Sequence, residues 1–177
     1  MIGCLREPGV QAVAIFRLGH WLLGQPLMLR VFLTPVYLYL DHRIRAKWGI
    51  QIQRRAEIGE GFYIGHYGGI FVTSEATIGR NFNISQNVTI GVSGNGERRG
   101  GPSIGDNVYV APGAIISGRH KIGNNVRIGP NVVITKDVAD GTLVHLPAMK
   151  TLHYSQQNSP DETGKEREDS DLSQPAA

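Results

Sequence analysis

Only one cysteine, Cys4, stands among the 177 residues, so an internal disulfide is excluded and a reducing, cytoplasmic compartment is the expectation. Long apolar runs are missing as well. The uncharged stretches over residues 18–29 and around 31–40 fall far short of the ~20 residues that span a bilayer, so no membrane-crossing helix is expected. The apolar stretch near the start follows Arg6 and Glu7 and has no small-residue cleavage site, which argues against a secretory signal. Beyond residue 48 the 3.6-residue apolar spacing of an amphipathic helix is absent. No set of three histidines has spacing suited to zinc, since His66 and His120 do not occupy matching positions, so no metal is expected. No nucleic-acid reading motif accompanies the basic balance, and nucleic acid is not an expected partner.

What is present is a six-residue beat. An aliphatic residue recurs at Ile52, Ile58 and Ile64 and continues to Ile134, slipping by two before Val72 and by eight between Ile90 and Ile104. A period of six sustained this long predicts an all-β solenoid of the parallel β-helix kind. With three hexads per turn, Ile58, Ile78, Ile104 and Ile122 fall in one column, each followed by glycine. Two places later come Gly61, Asn81, Asn107 and Asn125, residue types that accept a left-handed backbone at a tight corner.

Around this repeat the chain divides into an apolar helical lead-in over 1–47, the solenoid over 48–150 with an excursion at 92–103, and a tail over 151–177. Pro26 and Pro35 are expected to interrupt or start helices in the lead-in. Residues 155–177 carry a net charge of −4 and almost no large apolar residue, which predicts disorder, and they leave +7 on the rest of the chain. The lead-in is expected to cap the open first coil or to pack on other subunits. A second expectation is peripheral contact with an anionic membrane, because Arg43, Arg45, Lys47, Arg54 and Arg55 follow the apolar run.

His66 is the foremost chemical candidate. By column it lines up with Gln86, Pro112 and Pro130, pointing outward, where an imidazole can serve as a general base toward a hydroxyl. The neighbouring column of Gly65, Ser85, Ala111 and Gly129 leaves room for a thin ligand, such as a pantetheine arm, against the backbone. The glycine-rich excursion, with Glu97, Arg98 and Arg99, is long enough to close over a ligand at a neighbouring subunit.

The series Ile58-Gly59, Gly65-His66, Glu75-Ala76-Thr77-Ile78-Gly79, Asn87-Val88-Thr89-Ile90-Gly91, Ile104-Gly105-Asp106-Asn107-Val108 and Val132-Val133-Ile134-Thr135-Lys136-Asp137-Val138 resembles the hexapeptide-repeat acyltransferases, in their serine O-acetyltransferase branch. That resemblance implies a left-handed β-helix, a homotrimer with sites between subunits, acetyl-CoA as co-substrate and His66 as the catalytic base. It carries donor binding to Gly91, Ala111, Gly129, Pro130, Thr135 and Lys136, with Lys150 as a shifted cation after Pro147-Ala148-Met149. Gln51, Gln86, Arg98 and Arg99 are the acceptor-binding candidates. The family's Gly-x-Asp-Ile-His-Pro and Asp-Arg-His-Pro patterns read here as Gly49-Ile50-Gln51-Ile52-Gln53-Arg54 and Arg99-Gly100-Gly101-Pro102, without the acid or the second histidine. On those departures the chain is similar to capsule and colanic-acid acetyltransferases, and the expected acceptor is a sugar hydroxyl in polysaccharide or glycoconjugate synthesis. Serine itself and a non-catalytic trimeric scaffold are the alternatives.

Overall fold

A backbone that turns inward every six residues can close on itself after three strands, and it does so here. The computed structural model describes residues 6–96 and 99–147. Three parallel walls form a left-handed β-helix of about five coils. Wall A holds β1 (Ile50–Ile52), β4 (Ile70–Val72), β7 (Thr89–Gly91), β10 (Ile115–Ser117) and β13 (Val133–Ile134). Wall B holds β2 (Glu57–Ile58), β5 (Thr77–Ile78), β8 (Ser103–Ile104) and β11 (Lys121–Ile122). Wall C holds β3 (Tyr63–Ile64), β6 (Asn83–Ile84), β9 (Tyr109–Val110), β12 (Arg127–Ile128) and β14 (Leu143–Val144).

The register joins Ile58 to Ile78 to Ile104 to Ile122, the column expected from the spacing. Their side chains stack inside the coil with Val72, Ile84, Ile90, Ile116 and Ile128, all essentially inaccessible to solvent. Burial of one such side chain contributes about 1.5–3 kcal/mol, so the core is a column of nearly equal increments. Asn81, Asn107 and Asn125 take the left-handed backbone, with φ of 55–58°, and turn wall B into wall C. The glycine ahead of each corner is a matter of space: a Cβ on Gly105 would lie 2.8 Å from the Gly123 carbonyl carbon.

Amides at the strand ends donate to carbonyls of the following coil, as in Gly59 N–H to Ile78 O at 2.8 Å, while corner amides donate back, as in Asn81 N–H to Glu60 O at 2.7 Å. Ile58 O in the first coil, at the open end, therefore has no earlier coil to donate to it. Helix α1 (Pro8–Leu23) closes that end. Its Arg17 donates from Nη1 to Ile58 O at 2.6 Å and from Nη2 to Gly59 O, while Gly9 lies directly against Ile64. The lead-in therefore caps the first coil. Helix α2 (Leu27–Trp48) then runs back to β1 and ends at Gly49, whose φ of 61° makes the left-handed stop. Pro26 precedes α2, but Pro35 sits inside it and does not interrupt it, contrary to the expectation from sequence. Pro35 is exposed, and so is Val31, whose carbonyl loses its amide partner to the proline, so the missing bond falls on the outer side of the helix. The acidic tail lies outside the described residues.

Candidate functional site

The two-residue slip before Val72 has a definite shape. Gly65 N–H donates to Ile84 O at 3.0 Å in the normal ladder, but the next coil's corner amide, Asn87 N–H, donates at 2.7 Å to Gly68 O. In the coils that follow, the equivalent acceptors are Gln86 O and Pro112 O, each directly after its strip residue. The ladder place assigned to His66 from sequence is therefore held by Gly68. His66 and Tyr67 are the two extra residues, extruded as a bulge at the edge where wall C turns into wall A. Bulges of this kind re-aim side chains away from a regular surface. Gly68 and Gly69, with φ of 111° and 62°, return the chain to the coil. The Tyr67 ring meets Trp48 edge-on at 4.8 Å, which ties the bulge to the end of α2.

His66 is exposed, and its ring has no hydrogen-bond partner among the described residues. Gln86 lies in the coil beneath, and its Oε1 is buried and without a partner. A buried acceptor left open is rare enough in folded proteins to call for an explanation.

The strip of small residues beside the bulge is as the spacing predicts: Gly65, Ser85, Ala111 and Gly129 follow consecutive strands of wall C. Its backbone amides are not open to a ligand, however. Ser85 N–H donates to Val110 O, Ala111 N–H to Ile128 O and Gly129 N–H to Val144 O, at 2.8–3.1 Å. The strip therefore offers room and no free donors. His145, one coil beyond Gly129, was missed in the sequence reading. Its Cα would lie 3.5 Å from a Cβ on Gly129, so it bounds the strip, and extending the columns by one coil would have found it.

The remaining donor-site candidates divide between two edges. Ala111, Gly129 and Pro130 follow wall C, whereas Gly91 ends strand β7 of wall A and Thr135 and Lys136 follow that wall. Thr135 and Lys136 do share a cleft of about 360 Å³ with Leu143, Val144 and His145 at the C-terminal end of the coil. Lys150 and Arg98 lie outside the described residues.

The excursion also follows wall A. Ser93 and Gly100 pair antiparallel, with N–H to O distances of 3.3 and 3.2 Å in the two directions, so it starts and returns as a hairpin. Arg99 reaches Glu75 at 3.6 Å. Gly101 is pressed against the Glu75 backbone: a Cβ there would lie 2.5 Å from Glu75 O, so no histidine fits at this position without displacing that coil.

Gln51, expected beside His66, has no hydrogen bond to it. It instead lines a cleft of about 370 Å³ under α2 with Tyr37, Asp41, Arg45, Arg54 and Ser74. Burial pushes the Asp41 carboxyl above its ordinary range, although Arg45 at 2.9 Å pulls the other way. Burial likewise raises the Tyr37 hydroxyl, helped by the Asp41 charge.

Comparison with known proteins agrees with this architecture. The bacterial transferase hexapeptide (six repeats) model matches residues 101–136. A serine acetyltransferase of Synechocystis sp. is 38% identical over 161 residues, which is 89% of this chain and 61% of the relative. Soybean serine acetyltransferase complexed with serine has a TM-score of 0.64 at 34% identity, covering 78% of this chain and 55% of that one. A serine acetyltransferase in complex with CoA has a TM-score of 0.64 at 27% identity, again covering 78% and 55%. The chain spans about half to three fifths of the length of the curated relatives it matches. These relatives overturn the sugar reading: they are serine acetyltransferases, and the capsule and colanic-acid branch is unsupported. The missing acid and histidine misled the sequence reading because it weighed two positions above a repeat shared along most of the chain. Repeat, coil and relatives together make this chain similar to the hexapeptide transferases, with serine acetyltransferases among its homologues.

Proposed function

We propose that the chain is an acetyl-CoA-dependent acetyltransferase acting on the hydroxyl of serine. The observation that carries this reading is the bulge: it holds an unpaired imidazole at the mouth of a strip with no side chain larger than serine. His66 Nε2 or Nδ1 takes the proton of the acceptor hydroxyl as its oxygen attacks the thioester carbonyl, and the thiol leaves with a proton. No covalent intermediate on the protein is needed. Acetyl-CoA supplies the acetyl group when bound, and the strip with Ala111 and Gly129 has the width for its thin arm.

His66 follows wall C in the first coil and the Arg99 hairpin follows wall A in the third, so the reading places the working site between two copies, in a homotrimer. There the hairpin of one copy closes over the bulge of the next. Serine carries both signs of charge, and the Glu75–Arg99 pair offers an anion for its ammonium and a cation for its carboxylate. Neither Gln51 nor Gly101 can do what an acid or a histidine does, so acceptor binding rests on these groups instead.

Thiol release from acetyl-CoA, measured with serine, threonine, nucleotide sugars and oligosaccharides in parallel, tests the proposal. Serine is expected to give the highest kcat/KM. A trimer that binds CoA yet releases no thiol with serine above background would defeat it, and release with none of the acceptors would favour the scaffold reading.

A further inference from the structure

Helix α2 is buried along one stripe only. At about 100° per residue, Leu33, Tyr37, Leu40, Asp41 and Ile44 share the side that faces the protein. The opposite side is exposed and changes character along its length. Its first half presents Leu27, Met28, Val31, Phe32, Val36 and Tyr39, with 52–74% of each residue's surface accessible. These positions sweep an arc of roughly 200°. Beyond Leu40 the same arc carries His42, Arg43 and Lys47, all exposed. The helix's one acid, Asp41, is held by Arg45 at 2.9 Å. Trp21, about half exposed, stands near the turn into α2, where the apolar half begins.

An exposed apolar patch of this extent marks an interaction surface. Two features decide its occupant. A partner helix covers a stripe of about 100°, half of this arc. The arc also carries cations and no anion, so a second copy laid along it would bring like charges or apolar residues to the basic half and nothing to neutralise it. A leaflet of anionic lipid meets both demands, because acyl chains wrap a wide apolar arc and headgroup phosphates pair with the basic collar. No described helix is long and apolar enough to cross a membrane, and the apolar half, about 20 Å long, falls short of a bilayer core of ~30 Å. We infer that the apolar half of α2 inserts into one leaflet of an anionic membrane, with Arg43 and Lys47 at the headgroups. This docks the protein on the surface independently of its chemistry.

Flotation of the full chain tests this, using vesicles of phosphatidylcholine with about 30% phosphatidylglycerol against phosphatidylcholine alone. Wild type is expected to float with the anionic vesicles only, and high salt should weaken the association. Met28→Asp/Phe32→Asp should lower the bound fraction about tenfold or more. Its oligomeric mass and its turnover of soluble substrates should stay unchanged. Quenching of Trp21 by brominated lipid in a Trp48→Phe chain gives an independent readout on a protein with α2 intact, and quenching is expected. Failure of wild type to float, equal flotation of the double variant, or absence of quenching would each overturn the inference. A fall in mass of the double variant in lipid-free buffer would also overturn it, by showing that copies of this chain cover the face.

Discussion

Two edges of the same coil are built on opposite principles. Where wall B turns into wall C, every coil hands a hydrogen bond to the next: Asp106 Oδ1 accepts from Arg80 N–H at 2.7 Å, Asn124 Oδ1 from Asp106 N–H at 2.8 Å, and Asp140 Oδ1 from Asn124 N–H at 2.9 Å. Beside them Asn81 donates to Asn107 at 2.9 Å and Asn107 to Asn125 at 3.2 Å. Where wall C turns into wall A, the chain inserts two residues, and among the described residues His66 has no hydrogen-bond partner and Gln86 Oε1 is buried without one. The first edge uses its polar groups to hold the fold. The second leaves them uncommitted, and groups free of structural duty are the ones a substrate or a neighbouring copy can claim.

The sharpest way to break this contrast is His66→Ala. On the proposed chemistry kcat should fall about 10²- to 10⁴-fold, the usual contribution of a general base, while the thermal midpoint stays within a degree or two of wild type because the residue is exposed and makes no hydrogen bond among the described residues. Loss of folding would mean that the bulge belongs to the structural edge after all. The converse substitution is Gly105→Ala on the saturated edge. Its Cβ would lie 2.8 Å from the Gly123 carbonyl carbon, closer than backbone atoms yield without a shift of the coil. A loss of about 1–3 kcal/mol in unfolding free energy is expected, with kcat/KM retained by the folded protein. Denaturant titration and turnover on one preparation read both, and full stability of the variant would show that the coils are looser than the ladder implies.

The two edges also differ in how far the sequence announced them. The saturated edge was legible because it repeats: Ile-Gly followed two places later by Gly61, Asn81, Asn107 and Asn125 is one physical demand met four times, and period counting finds it. The bulge was visible only as a break in the count. Sequence located the slip before Val72 but assigned His66 a regular column place, because counting cannot tell which of three residues stays in the ladder. That choice is made by hydrogen bonding, here by Gly68 O. Cap and corner geometry hid the rest. Gln51 joins a cleft only when α2 folds back over β1, and Gly101 is cramped by Glu75, which lies 26 positions earlier and one coil away. The strip's width could be read from residue sizes, whereas the engagement of its amides required the ladder itself.

The smallest expected effect probes the saturated edge through pH. The Asp106 carboxylate is held below its ordinary range first by the Arg80 backbone N–H and then by the Arg80 guanidinium, whose Nη2 lies 2.8 Å from Oδ2. A carboxyl whose folded value is depressed binds its proton more readily in the unfolded chain. Its stabilisation is therefore fully present above the unfolded value of about 3.9 and is lost as pH falls through the lower folded value. Asp106→Asn keeps an oxygen for the Arg80 amide but removes the charge facing the guanidinium. Its thermal midpoint should lie slightly below wild type at about pH 7, and the gap should close as pH falls through the lowered folded value and the wild-type carboxyl takes up its proton. Because the Arg80 end of the pair is exposed and the pair lies at the surface, salt should shrink the gap at neutral pH as well. An equal gap at neutral and acid pH would mean that the edge is held by hydrogen-bond geometry alone, with the Arg80–Asp106 charge pair contributing nothing that melting can detect.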